Sequence, residues 1–313
     1  MTTISLSTLA CANTALDNTQ QQATNQPVDL IMTSELKVAT WNVEHLAYPS
    51  DIGCRPRNKS ELADMRDYVK RVNADIFALQ EVGSEEAVRQ LFPADQWQIV
   101  MSPRKDSESY TCRRSGNTST QQKIAFAVKH AIEINSVNGI SELALDRPGL
   151  RYGLEVSVAS PLGPIAILNV HMKSGCFVDN YSRADSDACQ TFAKQAPILD
   201  AWIEAKEKEK QAYMVLGDFN HRLTARYNHL TRQLFDNTDG SASSLVNTSS
   251  NMIGCHPYYP APIDIIFVGQ MPENIEMSLL ASKAHNFENM EPKEMLSDHC
   301  AVSVNIPMSA TSI

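Results

Sequence analysis

The chain has no run of about eighteen apolar residues, the length needed to cross a bilayer, so no membrane-spanning helix is predicted. It has no surplus of positive charge either: 27 Lys and Arg stand against 36 Asp and Glu, a formal net charge of −9. A protein that grips duplex DNA by neutralising phosphates along a long footprint needs the opposite balance. That balance still admits a hydrolase that touches few phosphates and takes local positive charge from a divalent cation. No Cys-x-x-Cys pair occurs, which argues against a thiolate zinc site, and no internal repeat is visible.

With 313 residues and 43% hydrophobic content, the chain can bury a large core. Length alone admits two domains. The polar motifs described below run from Asn42 to His299 and have to converge, so one domain over residues 35–308 is predicted, with a tail at 309–313. Residues 12–34 are rich in Asn, Gln, Thr and Ala and read as a flexible linker. Before it, Ile4-Ser5-Leu6-Ser7-Thr8-Leu9-Ala10-Cys11 resembles the end of a bacterial lipoprotein signal, although it is short and no basic segment precedes it. A membrane tether through Cys11 is therefore an expectation, with an incidental tail cysteine as the alternative. The other six cysteines form an even set placed mostly in loops, which suits an exported protein with disulfides. Cys176 with Cys189 and Cys54 with Cys112 are the expected pairs. Cys255 and Cys300 remain, and Cys300, inside an apolar strand, also reads as a buried thiol.

Apolar runs at 36–40, 75–79, 165–170 and 213–216 read as buried strands, each followed or ended by polar groups. Further strands are expected at 97–101, 123–128, 151–158, 263–268 and 300–305. Apolar spacing of three and four predicts helices at 59–73, with Ser60 as N-cap, and from 188 to about 210. The segment 160–164 looks like a hairpin turn, and 106–122 like a polar surface loop near the mouth of a site.

The polar strand ends form an ordered set: Trp41-Asn42-Val43-Glu44, Leu79-Gln80-Glu81-Val82, Asn169-Val170-His171-Met172-Lys173-Ser174, Gly217-Asp218-Phe219-Asn220, Pro262-Ile263-Asp264 and Ser297-Asp298-His299. Sheets gather functional groups at their strand ends, so these residues describe one site. Acidic, amide and imidazole groups together suit phosphodiester hydrolysis, which needs a cation, donors to phosphoryl oxygens and a proton acceptor. Glu81 is the best ligand for a hard cation, Mg2+ or Mn2+, with Asp298 as a second carboxylate. Asp218 and Asn220, two residues apart, would share a side of an extended strand, and Gly217 permits close backbone approach. Arg151 suits a phosphate clamp, with an edge-strand surface arginine as the alternative. The pairs Arg55 and Arg57, Arg104 and Lys105, and Arg113 and Arg114 read equally as solvated loops or substrate contacts. His45, His221, His229, His256 and His285 read as structural or surface residues.

In this order the segments resemble the endonuclease/exonuclease/phosphatase superfamily over residues 36–306. The resemblance implies a four-layer α/β/β/α sandwich with two mixed β-sheets packed face to face. It also implies that Asn42 orients Glu81 or a metal-bound water, that Asp264 orients His299, and that Asn220 and His171 contact phosphate. Asp218 and His299 both stay open as the general base. The expected function is metal-dependent phosphodiester hydrolysis, most readily by an extracytoplasmic nuclease on DNA or RNA. A sphingomyelin or phospholipid phosphodiesterase, or a phosphatase of the same fold, is the alternative, and a non-catalytic binding module is a third reading. No protein partner is inferred, and a monomer is expected.

Overall fold

The computed structural model describes residues 35–308 and Met1, so the expected leader, linker, Cys11 tether and tail lie outside the described residues. In chain order the strands are β1 (Glu35–Leu46), β2 (Ile76–Val82), β3 (Trp97–Met101), β4 (Lys123–Lys129), β5 (Ile134–Ile140) and β6 (Gly153–Val158). They continue as β7 (Ile165–His171), β8 (Tyr213–Asp218), β9 (Val246–Asn247), β10 (Asp264–Gly269), β11 (Lys283–Ala284) and β12 (Val302–Pro307). The α-helices are α1 (Lys59–Val72), α2 (Glu85–Arg89), α3 (Asp187–Glu209) and α4 (His229–Phe235).

Two six-stranded sheets result, ordered β11-β12-β1-β2-β4-β3 and β5-β6-β7-β8-β10-β9. Side chains alternate across each strand, so both faces of a central strand must be apolar when both are covered. On β2, Ile76 and Ala78 enter the core shared with Ile167, Leu216 and Ile266 of the other sheet, whereas Phe77 and Leu79 turn outward among Leu62, Val69 and Val72 of α1. Across the second sheet, Leu168, Val215 and Phe267 meet Phe192, Leu199 and Ile203 of α3. The layers are therefore α/β/β/α, as the sequence resemblance implied.

Several boundaries differ from the sequence expectation for identifiable reasons. Asn58, not Ser60, caps α1: its Oδ1 accepts from Glu61 N at 2.9 Å, while Glu61 Oε2 accepts from Asn58 N at 2.9 Å, a reciprocal capping box. β6 begins at Gly153, which leaves Arg151 on the preceding loop. β5, an exposed edge strand, carried too little hydrophobic alternation to be recognised. The expected hairpin between β6 and β7 is antiparallel, with Val158 opposite Ile165. All three disulfides are present, Cys54–Cys112, Cys176–Cys189 and Cys255–Cys300, so Cys300 is not a free thiol. No helix among the described residues is long and apolar enough to cross a membrane.

A polar network of Thr40, Gln80 and Asn169, all fully buried, lies deep between the sheets. Asn169 on β7 donates through Nδ2 to the carbonyls of Leu79 at 3.1 Å and Ala125 at 3.0 Å, and its Oδ1 accepts from Gln80 Nε2 at 2.7 Å. Leu79 and Ala125 are paired across β2 and β4 beside the register shift at Glu81, so the amide fixes the second sheet to the point where β2 leaves its ladder. Asn169→Leu keeps the branched shape and heavy-atom count but removes these three bonds. It should cost about 2–4 kcal/mol in urea unfolding, since buried hydrogen bonds contribute roughly 1 kcal/mol each and orphaned carbonyls add to the loss. A cost below about 0.5 kcal/mol would mean that the sheets do not need this pin.

Candidate active site

β1 and β2 run parallel, as do β7 and β8, and each pair ends at the same edge of its sheet. β10 is antiparallel to β8 and begins with Asp264 opposite Asp218, which in turn lies opposite His171 of β7. The segment before β12 returns to β1 at the same edge. There Trp41 Nε1 donates to the His299 carbonyl at 3.0 Å, and Ser297 Oγ donates to the Asn42 carbonyl at 2.7 Å while accepting from His299 N at 3.1 Å. Ser297 was not recognised from sequence as a positioning residue, because a serine before Asp-His carries no signal of its own.

Bulges turn the side chains of β1 and β2 inward. Glu44 and His45 have φ of 50° and 56°, and Glu81 has φ of 62°, left-handed values that cost free energy for residues other than glycine. Register shifts fall at these places in both strands. Arg57 offsets part of the cost: it is buried, and its Nη2 donates to the carbonyls of Val43 at 2.8 Å and Glu44 at 3.0 Å. Arg57 is thus neither a solvated loop residue nor a free substrate contact. Arg55 is engaged likewise, with Nε 3.6 Å from Glu44 Oε2 and Nη2 donating to the Met295 carbonyl at 2.9 Å.

The bulges bring His45 into the site, contrary to its reading as a structural or surface residue. Its Nε2 lies 3.5 Å from Glu81 Oε2, and its backbone N donates to that oxygen at 3.2 Å. His171 Nε2 sits 3.9 Å from Glu81 Oε1 and 3.4 Å from Asp218 Oδ2. Burial alone would push the Glu81 carboxyl up, but the charges of His171 and His45, once protonated at low pH, and of Arg151 bring it down to about 2. Burial, and then the Arg151 charge, hold His171 well below its usual range, so it is neutral near pH 7. Arg151 Nη2 donates to Gln122 Oε1 at 3.1 Å, and Gln122 Nε2 lies 3.3 Å from His45 Nε2, so the 106–122 loop does reach the site.

Asp218 is the buried hub. Asn42 Nδ2 donates to its Oδ2 at 3.0 Å, and Asn220 donates through N to Oδ1 at 2.8 Å and through Nδ2 to Oδ2 at 3.1 Å. Asn42 therefore orients Asp218, not Glu81. Asn220 has φ of 52°, so a turn rather than an extended strand brings it back onto Asp218; its Nδ2 also donates to the Met172 carbonyl at 3.2 Å. Gly217 is required beside it: at φ 147° an added Cβ would lie 2.0 Å from the Val170 carbonyl oxygen.

His299 Nδ1 pairs with Asp264 Oδ2 at 2.8 Å, and its Nε2 faces Asp218 Oδ2 at 3.8 Å and Asp298 Oδ1 at 3.9 Å. Burial disfavours the imidazolium, yet the Asp264 and Asp218 carboxylates and the Asp264 hydrogen bond hold His299 well above its usual range. Burial chiefly, with the Asp264 charge, raises Asp218 to about 7 against the pull of His299. Asp298 is half exposed, and its backbone N donates to Glu44 Oε2 at 3.2 Å. Burial and the Asp298 charge raise Glu44. His221 stacks on Phe192 with centroids 4.0 Å apart, and the His229 ring lies 4.9 Å from that of Tyr181; both are structural, as expected. Lys173 is turned onto the Ser174 carbonyl at 2.6 Å.

A sequence profile of the Endonuclease/Exonuclease/phosphatase family matches residues 39–299. No curated protein matches the chain by sequence. Among solved structures, TDP2 from Caenorhabditis elegans aligns over 87% of this chain and 74% of its own at 14% identity and a TM-score of 0.58. TDP2 from D. rerio, complexed with a single strand DNA product, aligns over 88% and 99% at 12% identity and a TM-score of 0.59. The human Nocturnin catalytic domain, with a bound sulfate anion, aligns over 89% and 96% at 14% identity and a TM-score of 0.58. At these identities the likeness to the solved structures is one of fold.

The charge pattern is testable in metal-free protein by NMR titration of the imidazoles. His299 should stay protonated to a pH well above about 6.5 and His171 should stay neutral well below it. Asp264→Asn should bring the His299 titration down, because it removes the charge that favours the imidazolium. An unchanged His299 titration in Asp264→Asn would contradict the assigned pair.

Proposed function

Because this chain belongs to the Endonuclease/Exonuclease/phosphatase family of phosphodiester hydrolases, we propose that it cleaves phosphodiester bonds of DNA or RNA outside the cytoplasm with Mg2+ or Mn2+ as cofactor. The observation that carries this reading is the close constellation of Glu81, His171, Asp218, Asp264 and His299 at one edge of two sheets. The three disulfides support an oxidising, extracytoplasmic setting.

A hard cation fits the donor set. Glu44, Glu81, Asp218, Asp264 and Asp298 crowd the site; the upward push of Asp298 on Glu44 is repulsion that a cation would relieve. Asp218, Asp264 and His299 place potential ligand atoms within 4.8 Å of one another, but an imidazolium bound to Asp264 has no lone pair to give. Glu81, ionised down to about pH 2, is the better holder, with Asp298 beside the site as the second carboxylate. When bound, the cation would draw charge from the phosphoryl oxygens and help the leaving oxygen depart.

The remaining roles follow from charge and hydrogen bonding. Asp218, held by Asn42 and Asn220 and raised to about 7, takes the proton of the attacking water. His299, kept protonated by Asp264, donates to a phosphoryl oxygen and is not the base. His171 is neutral and contacts the phosphate through Nε2, and Arg151 clamps a second oxygen. Asn220, both of whose amide hydrogens are already used, positions Asp218 in place of the expected phosphate contact.

Glu81→Gln keeps the size and removes the charge, so activity should fall by about 100-fold or more and recover in part at high Mg2+. Product release from plasmid DNA, RNA, sphingomyelin and bis-p-nitrophenyl phosphate, with Mg2+ and then with EDTA, is the assay. Full activity of Glu81→Gln at low Mg2+ would remove the metal assignment, and turnover of sphingomyelin alone would replace the nuclease reading with the lipid one. His299→Ala and Asp264→Asn should each lower kcat far more than they raise KM. Since the two groups act as a unit, the double variant should be little worse than His299→Ala; multiplicative losses would show that they act independently.

A further inference from the structure

Beside the site opens a cavity of about 360 Å3, with Glu44 and Asp298 on its catalytic side and Tyr258, Tyr259, Arg114 and Lys293 among its other walls. Its size is at the lower end for small-molecule pockets, roughly 300–1,000 Å3. Tyr258 and Tyr259 are each 72% exposed; Phe177 and Tyr227 are exposed to a similar degree, but neither has a second aromatic ring beside it in the chain. Exposed rings normally cost solubility, so two in succession at the rim of a polar cavity call for a ligand.

The loop that carries them, residues 254–260, is built to hold still. Gly254 N donates to the Pro260 carbonyl at 2.7 Å, which closes the loop, and Tyr259 N donates to the His256 carbonyl at 2.9 Å. An added Cβ at Gly254 would meet the carbonyl oxygens of Tyr259 and Pro260 at 3.0 and 3.1 Å, so the closure depends on glycine. The His256 ring lies 4.9 Å from that of Tyr259 and 5.5 Å from that of Tyr258. The loop is tied to the catalytic residues at both ends: Cys255 is bonded to Cys300, the residue after His299, and the chain beyond Pro260 leads directly into Asp264. The bridge to Cys300 and the short connection to Asp264 thus keep the loop beside the residues that would flank a scissile phosphate.

Charge narrows the ligand. Neither the Arg114 nor the Lys293 side chain makes a hydrogen bond or an ion pair among the described residues, in contrast to Arg55, which is spent on Glu44 and Met295. Two uncommitted cations and two exposed rings suit a base with phosphates on either side. A hydrocarbon surface suits the cavity poorly, because the carboxylates of Glu44 and Asp298 line it too. A base inside a duplex has both faces already stacked, so only an unpaired one can offer its face to these rings.

Resting on the nucleic-acid reading above, we propose that Tyr258 and Tyr259 form a stacking subsite for one unpaired nucleobase next to the reacting phosphate, with Arg114 and Lys293 meeting its neighbouring phosphates. The subsite makes single-stranded nucleic acid, or a single-stranded end, the preferred substrate.

The test is an abasic scan. Fluorescein-labelled phosphorothioate DNA strands of about eight nucleotides, each lacking one base, are bound to the full-length protein and to Tyr258→Leu/Tyr259→Leu, with fluorescence anisotropy as readout. For the wild type, loss of the base at one position should weaken binding roughly ten-fold, the range of base–aromatic stacking. In the Leu double variant that positional penalty should disappear, whereas Tyr258→Trp/Tyr259→Trp should keep it. A flat scan, or an equal penalty in the Leu variant, overturns the proposal. So does binding to phosphatidylcholine and phosphatidylglycerol vesicles that the Leu variant loses while its oligonucleotide binding is unchanged, which would assign the rings to a lipid surface. Wild-type turnover of bis-p-nitrophenyl phosphate, which has no nucleobase, reads the hydrolytic assignment separately, so either idea can fail alone.

Discussion

The site depends on one local irregularity, the adjoining bulges at the ends of β1 and β2. A regular ladder would send Glu44, His45 and Glu81 alternately into the two apolar faces of their sheet, where none could be hydrated. The left-handed residues there break that alternation and turn all three toward one opening. Their cost is met in part by buried polar groups that hold backbone: Arg57 on the carbonyls of Val43 and Glu44, and Asn169, which also accepts from Gln80, on those of Leu79 and Ala125. The hydrophobic layers make the sandwich stable, but these donors decide where its acidic groups point.

Much of the architecture was legible because it rests on periodicity and on strand ends. The apolar runs around Val38, Phe77, Ile167 and Val215 read as buried strands, and the helices over Leu62 and Leu199 announced themselves by spacing. The polar groups that close those runs were recognisable as a set, and the structure brings Glu81, His171, Asp218, Asp264 and His299 together. Hydrogen-bond direction was not legible. Asn42 and Asn220 both serve Asp218, because the turn after Gly217 and the register of β1 decide which carboxylate lies within reach. His45 was overlooked because a residue inside a bulge obeys no periodicity, and Arg57 was misjudged because an arginine in a loop gives no sign in sequence that carbonyls await it.

Electrostatically the site is a set of acids sorted by environment. Glu81 lies among His171, His45 and Arg151 and stays ionised, whereas Asp218 lies deeper, next to Asp264, and holds its proton to about pH 7. Similar carboxyl groups are therefore set to different charge states within one cluster. His299 and His171 divide in the same way, one charged through Asp264 and one kept neutral by burial.

The Cys176–Cys189 bridge, finally, alters what a cut in the chain would mean. The segment it encloses begins with Phe177 and Val178, both exposed, and it joins the strand that ends in His171 to the helix that covers the second sheet. Exposed loops of this kind are where proteases nick folded domains. A nick anywhere inside the ring leaves the two fragments covalently joined and their buried faces packed together. The molecule can therefore lose a peptide bond there and keep its shape, running as one species on a gel until a reductant separates the pieces.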